Sequence, residues 1–275
     1  MNKNTQNNKK LQLAFSPCPN DTFMFDALIN HRMGAVDLDF DYHLADIETL
    51  NLKAFDGYFD VTKLSFHALL YLAKEYTLLD AGCALGRNCG PVLIAREPFS
   101  LEKLAKATIA IPGRYTTANL LFSLAFPESK VKKEILFSDI ENAVLTRQVD
   151  AGVIIHESRF TFEQRGLIKL MDLGEWWESE TGCLIPLGCI VIKQSAGSEI
   201  IKKTENLIRK SIEYAFENPE HSSGFVKNHA RETLDSVIRQ HIQLYVNKFS
   251  ISLGEEGRKA VETLFEKAAQ VRLIP

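Results

Sequence analysis

The chain has 275 residues, of which 45% are apolar and 24% charged, and its formal net charge is −3. At roughly 100–150 residues per domain this leaves room for two lobes with ordinary buried cores, and the balance excludes a disordered or fibrous chain. Lys and Arg are scattered rather than gathered in a stripe, so nucleic acid is not an expected partner. No run approaches the roughly 20 apolar residues of a membrane span, so a membrane partner is not expected either.

The opening MNKNTQNNKK is polar, and residues 1–10 are expected to be a disordered tail. The apolar stretch behind it is broken at once by Pro17, Pro19, Asn20 and Asp21, which is no secretory h-region, and a cytoplasmic location is expected. Residues 11–16, LQLAFS, predict a strand. Thr22 to Asn30 predict a helix carried by Phe23, Phe25, Ala27 and Leu28, with Asp21 or Thr22 as its cap. A strand follows over residues 36–44, then a helix from Asp46 with Ile47, Leu50, Leu52 and Phe55 on one side. Residues 57–76 predict a strand, a polar loop at TKLS and another helix. Strands alternating with helices argue for βαβ units and mostly parallel sheets.

The same order restarts after residue 95: TIAIP as a strand, GRYTT as a turn, NLLFSLAF as a helix, EILFS as a strand, a helix over 140–148, and the strand AGVII ending at His156. GPVLIARE and PLGCIVIK flank this segment and read as the strands on which the chain leaves the first lobe and returns. The expected division is therefore a discontinuous first lobe of residues 11–94 and 191–275 and a second lobe of residues 95–190. A double crossing makes a hinge that closes on ligand. From Glu199 onward helical stripes predominate, and these helices are expected to pack on the first lobe.

Five cysteines, an odd number, imply no disulfide framework. Cys83/Cys89 and Cys183/Cys189 share a spacing of five intervening residues, wider than the two to four of common zinc sites, and they are expected to be small buried thiols without a metal. There is no Walker loop, Rossmann glycine fingerprint or nucleophile elbow, and no cofactor is expected. In open α/β sheets ligands collect at the carboxyl ends of strands. Four polar junctions stand there: SPCPNDT (16–22), TKLS (62–65), PGRYTT (112–117) and HESRF (156–160). Thr116 and Thr117 serve equally as a helix cap or as ligand donors. Lys63 and Ser65 serve as a solvent-facing cation with a capping hydroxyl or as cleft residues, and Asn20 and Asp21 are ordinary turn residues. His156 directly follows VII at a strand end and could move protons near neutral pH from a rigid position.

Taken together SPCPNDTF, DIETLN, TKLS, CALGRNCGP, PGRYTTA, IIHESRF, DLGEWWE and YVNKFS resemble the 1,4-dihydroxy-6-naphthoate synthase family from about residue 11 to about residue 270. The resemblance implies a two-lobe, type II periplasmic-binding-protein-like α/β fold with the ligand between the lobes. It implies conversion of cyclic dehypoxanthinyl futalosine, a small-molecule carboxylate, into 1,4-dihydroxy-6-naphthoate and dihydroxyacetone, a carbon-carbon lyase reaction. It places the proton acceptor on His156 and the substrate-binding segments on Lys63, Leu64, Ser65, Thr116 and Thr117. The competing class on the same fold is a non-catalytic solute-binding or ligand-sensing protein.

Overall fold

The computed structural model describes residues 10–34, 36–231 and 234–270; the expected tail lies outside them apart from Lys10. The first lobe opens with β1 (Leu11–Phe15), α1 (Pro19–Ile29), β2 (Phe40–Leu44), α2 (Ile47–Phe55), β3 (Val61–Ser65), α3 (Phe66–Leu72), β4 (Tyr76–Leu78) and β5 (Ala84–Gly86). The chain then enters a second lobe of β6 (Val92–Ala95), β7 (Ile109–Ile111), α4 (Thr117–Ala125), β8 (Lys132–Glu134), α5 (Ile140–Leu145), β9 (Ala151–Ile154), β10 (Ile168–Asp172) and α6 (Leu173–Thr181). It returns on β11 (Ile185–Lys193) and ends in α7 (Ser198–Glu217), α8 (Ser223–His229), α9 (Asp235–Tyr245), α10 (Lys248–Ile251) and α11 (Gly254–Gln270). No helix among the described residues is long and apolar enough to cross a membrane.

Two sheets result, ordered β2-β1-β3-β11-β4 with β5 paired to β11, and β10-β6-β9-β7-β8. Each is mixed rather than mostly parallel. β1 pairs in parallel with β2 and β3, and β7 with β8 and β9, whereas β11 runs antiparallel to β3 and β6 antiparallel to β9. The reversal follows from the double crossing, because the strand that brings the chain back into a sheet arrives from the other lobe and not over a right-handed helical crossover. By sheet membership the crossings fall a few residues earlier than the apolar runs suggest: Val92–Ala95 already belongs to the second sheet and all of Ile185–Lys193 to the first. Gly90 and Gly174 meet at this crossing. A Cβ on Gly90 would lie 2.3 Å from the Gly174 Cα, so only two glycines permit the approach.

Local sequence explains most element ends. Asp46 caps α2 by accepting from the Glu48 and Thr49 N–H groups, and Asp172 caps α6 in the same way from Gly174 and Glu175. α1 starts at Pro19, three residues before the expected start, with Cys18 at the cap position, because Pro fits the first helical position. The TKLS segment is not a loop but part of β3. The strand expected at EILFS lies two residues earlier, at β8. On α2, Leu50 is buried while Leu52 and Phe55 are exposed, so the core stripe is narrower than its apolar residues suggest. The amphipathic α7 packs on α1, where Ser211 Oγ donates to the Met24 carbonyl at 2.6 Å and accepts from the Leu28 N–H at 3.0 Å. One buried cluster, containing Leu64, Phe66, Leu121, Trp177 and Leu264, runs beneath both lobes and makes the cleft floor rigid.

Candidate active site

The strand ends of both lobes open on one cleft of about 640 Å³ with its mouth included. β3 shows how the sequence builds the first wall. Side chains alternate along a strand, so Lys63 and Ser65 line the cleft while Leu64, fully buried, points into the core. Leu64 therefore offers no side chain to a ligand, although the resemblance places it in a binding segment. Lys63 is not solvent-facing: its Nζ donates to Asp21 Oδ1 at 2.6 Å, and both side chains are almost wholly buried. Asp21 is no turn residue either. It sits in the first turn of α1 and accepts four hydrogen bonds, from Lys63 Nζ and Asn20 Nδ2 (2.8 Å) on Oδ1, and from the Ser16 N–H (3.1 Å) and Oγ (2.8 Å) on Oδ2. Ser65 does not cap α3 with its side chain; its Oγ accepts from Asn51 Nδ2 at 3.2 Å and its N–H donates to Asn51 Oδ1 at 3.0 Å.

The second wall is the N-terminus of α4 and the turn after β9. Thr116 caps α4, accepting from the Asn119 N–H at 3.2 Å while its Oγ1 donates to the Gly113 carbonyl at 2.8 Å. Thr117 spans the cleft, donating to the Leu187 carbonyl on β11 at 2.6 Å. Two further contacts join the walls. Buried Glu48 of α2 accepts from the Tyr115 N–H at 2.9 Å, and His67 Nδ1 meets the Thr116 carbonyl at 3.2 Å. A Cβ on Gly113 would lie 2.4 Å from the Glu48 side chain, so glycine lets that latch sit flush. Burial holds the His67 pKa down, to about 4, so its imidazole is neutral.

His156 lines the cleft directly after β9 with φ of 59°, a left-handed conformation that costs a non-glycine residue about 1 kcal/mol or more and concentrates at functional sites. Its ring packs edge-on against Phe137 (5.0 Å) and parallel to His241 (6.0 Å between centroids, 11° between planes). It is half-buried. Desolvation lowers its pKa; Glu157 and Asp21 oppose that shift, and Lys63 adds to it. A neutral imidazole with a face open to the cleft can accept a proton.

The structure thus brings together Lys63, Ser65, Thr116, Thr117 and His156 from three separate junctions, and Ser16, Asn20 and Asp21 of the fourth line the same cleft. Sequence reasoning passed over Asp21, Asn51, Glu48 and His241. His241 had a signal: it occupies a core position of the apolar stripe formed by Val237, Ile238 and Tyr245 on α9, where an imidazole needs a polar partner. Its Nε2 meets Asn20 Oδ1 at 2.9 Å. Cys83, Cys89 and Cys189 are buried and Cys183 is half-buried, and burial raises the thiol pKa of the first three.

Residues 11–270 match a family model described as menaquinone biosynthesis. A 1,4-dihydroxy-6-naphthoate synthase of Thermus thermophilus is 43% identical over 258 residues, covering 94% of this chain and 93% of that protein. One of Streptomyces coelicolor is 43% identical over 271 residues, covering 96% and 95%. A crystal structure of an Archaeoglobus fulgidus protein superposes with a TM-score of 0.91 at 35% identity, over 96% of this chain and 98% of that one. The alkanesulfonate-binding protein of Xanthomonas axonopodis superposes with a TM-score of 0.70 at 13% identity, over 97% and 94%, a likeness of fold alone. With near full-length matches on both sides of the cleft, this chain belongs to the menaquinone-biosynthesis family that includes the 1,4-dihydroxy-6-naphthoate synthases.

Proposed function

We propose that this protein is a 1,4-dihydroxy-6-naphthoate synthase acting as a carbon-carbon lyase on cyclic dehypoxanthinyl futalosine, with His156 as the general base. The observation that carries this is the His156 imidazole, whose pKa desolvation lowers, held in the turn just beyond β9 where it lines the cleft. His156 takes a proton from the bicyclic substrate, the ring opens, and the bond to the sugar remnant breaks. The proton returns to the departing dihydroxyacetone. No net electrons are gained or lost, and formation of an aromatic ring supplies driving force. A closed cleft around a positioned base favours such a step.

Lys63 already has its charge matched by Asp21. The substrate carboxylate is better served by the N-terminus of α4, where the main-chain N–H groups of Thr117 and Ala118 have no partner within the helix and both residues line the cleft. The remaining Lys63 N–H groups and Ser65 then serve the other substrate oxygens.

Incubation of the pure protein with cyclic dehypoxanthinyl futalosine is expected to yield the naphthoate, followed by absorbance and mass. His156→Asn should lower kcat by about 10² or more with product affinity changed far less. Tight binding without turnover by the unaltered protein would instead support a solute-binding role, and a folded His156→Asn protein with normal kcat would remove His156 from the chemistry.

A further inference from the structure

Behind His156 lies a hydrogen-bonding mismatch that the fold does not explain by itself. Asp21, acceptor-only as a carboxylate, fixes the Asn20 amide with Nδ2 pointing at it, so Asn20 turns its Oδ1 to His241. That oxygen accepts, and His241 Nε2 must therefore carry a hydrogen. In a neutral ring this leaves a lone pair on Nδ1. Nδ1 is buried without a hydrogen-bond partner, and the atom it faces, Glu157 Oε2 at 3.8 Å, is also buried without one. A lone pair facing a carboxylate oxygen in a dry interior is repulsive, and two orphaned acceptors cost several times what one satisfied bond contributes. One proton placed between them turns the pair into donor and acceptor, and a small rotation of Glu157 closes the gap.

We propose that Glu157 and His241 hold one exchangeable proton between Oε2 and Nδ1 and act as a positioning pair for His156. The proposal rests on His156 being the base. Neither residue of the pair lines the cleft, so they act through the ring that stacks on His241 and through the Glu157 carboxylate, which has an oxygen within 4.8 Å of a His156 ring nitrogen. With its proton the pair is neutral overall, so a positive charge forming on His156 meets no second fixed cation at 6.0 Å. Without it, the ring and carboxylate repel and the His156 turn, already in a strained conformation, loses its support. The other ionisable groups near the pair are Lys63 from β3, Cys18 beside Glu157, Tyr245 on the same helix as His241, and Arg159, which hydrogen-bonds Tyr245 from the turn after β9. Burial, with His156 and Lys63 nearby, disfavours a charged His241 ring, so the proton is shared with Glu157 and not held by His241 alone. β5, which also packs on α9, contributes none.

The test uses the full chain and the kcat/KM profile against pH. The unaltered enzyme is expected to give a bell, its acid limb from protonation of His156 and its alkaline limb from loss of the shared proton. Glu157→Gln places an amide N–H against Nδ1 permanently, so the alkaline limb should vanish whatever happens to the plateau. Glu157→Ala should lower activity at least tenfold below Glu157→Gln, because it restores no donor. In ¹⁵N-histidine spectra of the substrate-free protein at pH 6–7, with the His241 signals assigned by His241→Gln, both His241 nitrogens should report a bound or shared proton. An unchanged alkaline limb in Glu157→Gln, or a bare Nδ1 in the spectra, would overturn the proposal. The spectra need no turnover, so they judge the pair even if His156→Asn proves His156 not to be the base.

Discussion

The two walls of the cleft differ in how their polar groups are satisfied. On the first lobe Asp21 takes four donors, Lys63 is neutralised, and Asn51 ties Ser65 to Glu48. On the second lobe the cleft-facing groups are a helix N-terminus and an imidazole, and behind the imidazole Glu157 of this lobe faces His241 of α9, each with a buried atom without a partner. The first wall is a hydrogen-bonded network in which Lys63 and Ser65 already have protein partners. The second leaves main-chain N–H groups and an imidazole facing the cleft. A residue that must accept a proton from substrate cannot have its lone pair occupied by the protein, so chemistry collects on the wall with unfilled bonding positions.

The sharpest way to break this contrast is to damage the first wall's network. Asp21→Ala leaves Lys63 as an uncompensated buried cation and should destabilise the fold by about 3–5 kcal/mol, read from urea unfolding. Adding Lys63→Met in the same chain should recover a good part of that loss. No recovery would show that the other donors to Asp21, and not the ion pair, govern the site.

A second test addresses the seam between the walls. The unfolded His67 binds a proton below about pH 6.5, the folded one only below about 4. Between these values the unfolded state binds more protons, so stability is complete above the window and falls as pH falls through it, by up to roughly 3 kcal/mol. Melting profiles of His67→Gln and the unaltered protein should therefore converge as pH falls from 6.5 to 4. Parallel profiles would place the acid sensitivity elsewhere.

The smallest expected effect belongs to the second wall. Thr116→Ala removes one cap from α4 and should cost about 1 kcal/mol in urea unfolding. A loss as large as that of Asp21→Ala would mean the second wall is as tightly interlocked as the first.

Legibility in the sequence divides along the same lines. His156, Thr116 and Thr117 were readable as junction residues because each stands just beyond a short apolar strand; Thr116 acts locally, reaching Asn119 three residues on, whereas Thr117 reaches Leu187 across the cleft. Lys63 was readable as a cleft residue but not as an ion-pair partner. The apolar-polar mixture of TKLS resembles a loop until β11 is known to cover it on one side and β1 on the other, which makes it a central strand with alternating faces. His241 and Asn20 lie 221 positions apart, and no periodicity in either segment announces the other.

The sequence by itself determined the alternation of strands and helices, the start of a helix at Asp46 and the cap at Thr116, the division into two lobes and, through its ordered motifs, the family. These depend on residues within a turn or two of each other, or on side-chain periodicity, both of which are printed along the chain. Only the tertiary structure decided the antiparallel strands at the crossing, the burial of Leu64 away from the cleft, the neutralisation of Lys63 by Asp21 and the pairing of Glu157 with His241. Each of these depends on which segments the chain path brings together, and burial then fixes how strongly charges and lone pairs are felt. Neither is a property of any local stretch of sequence.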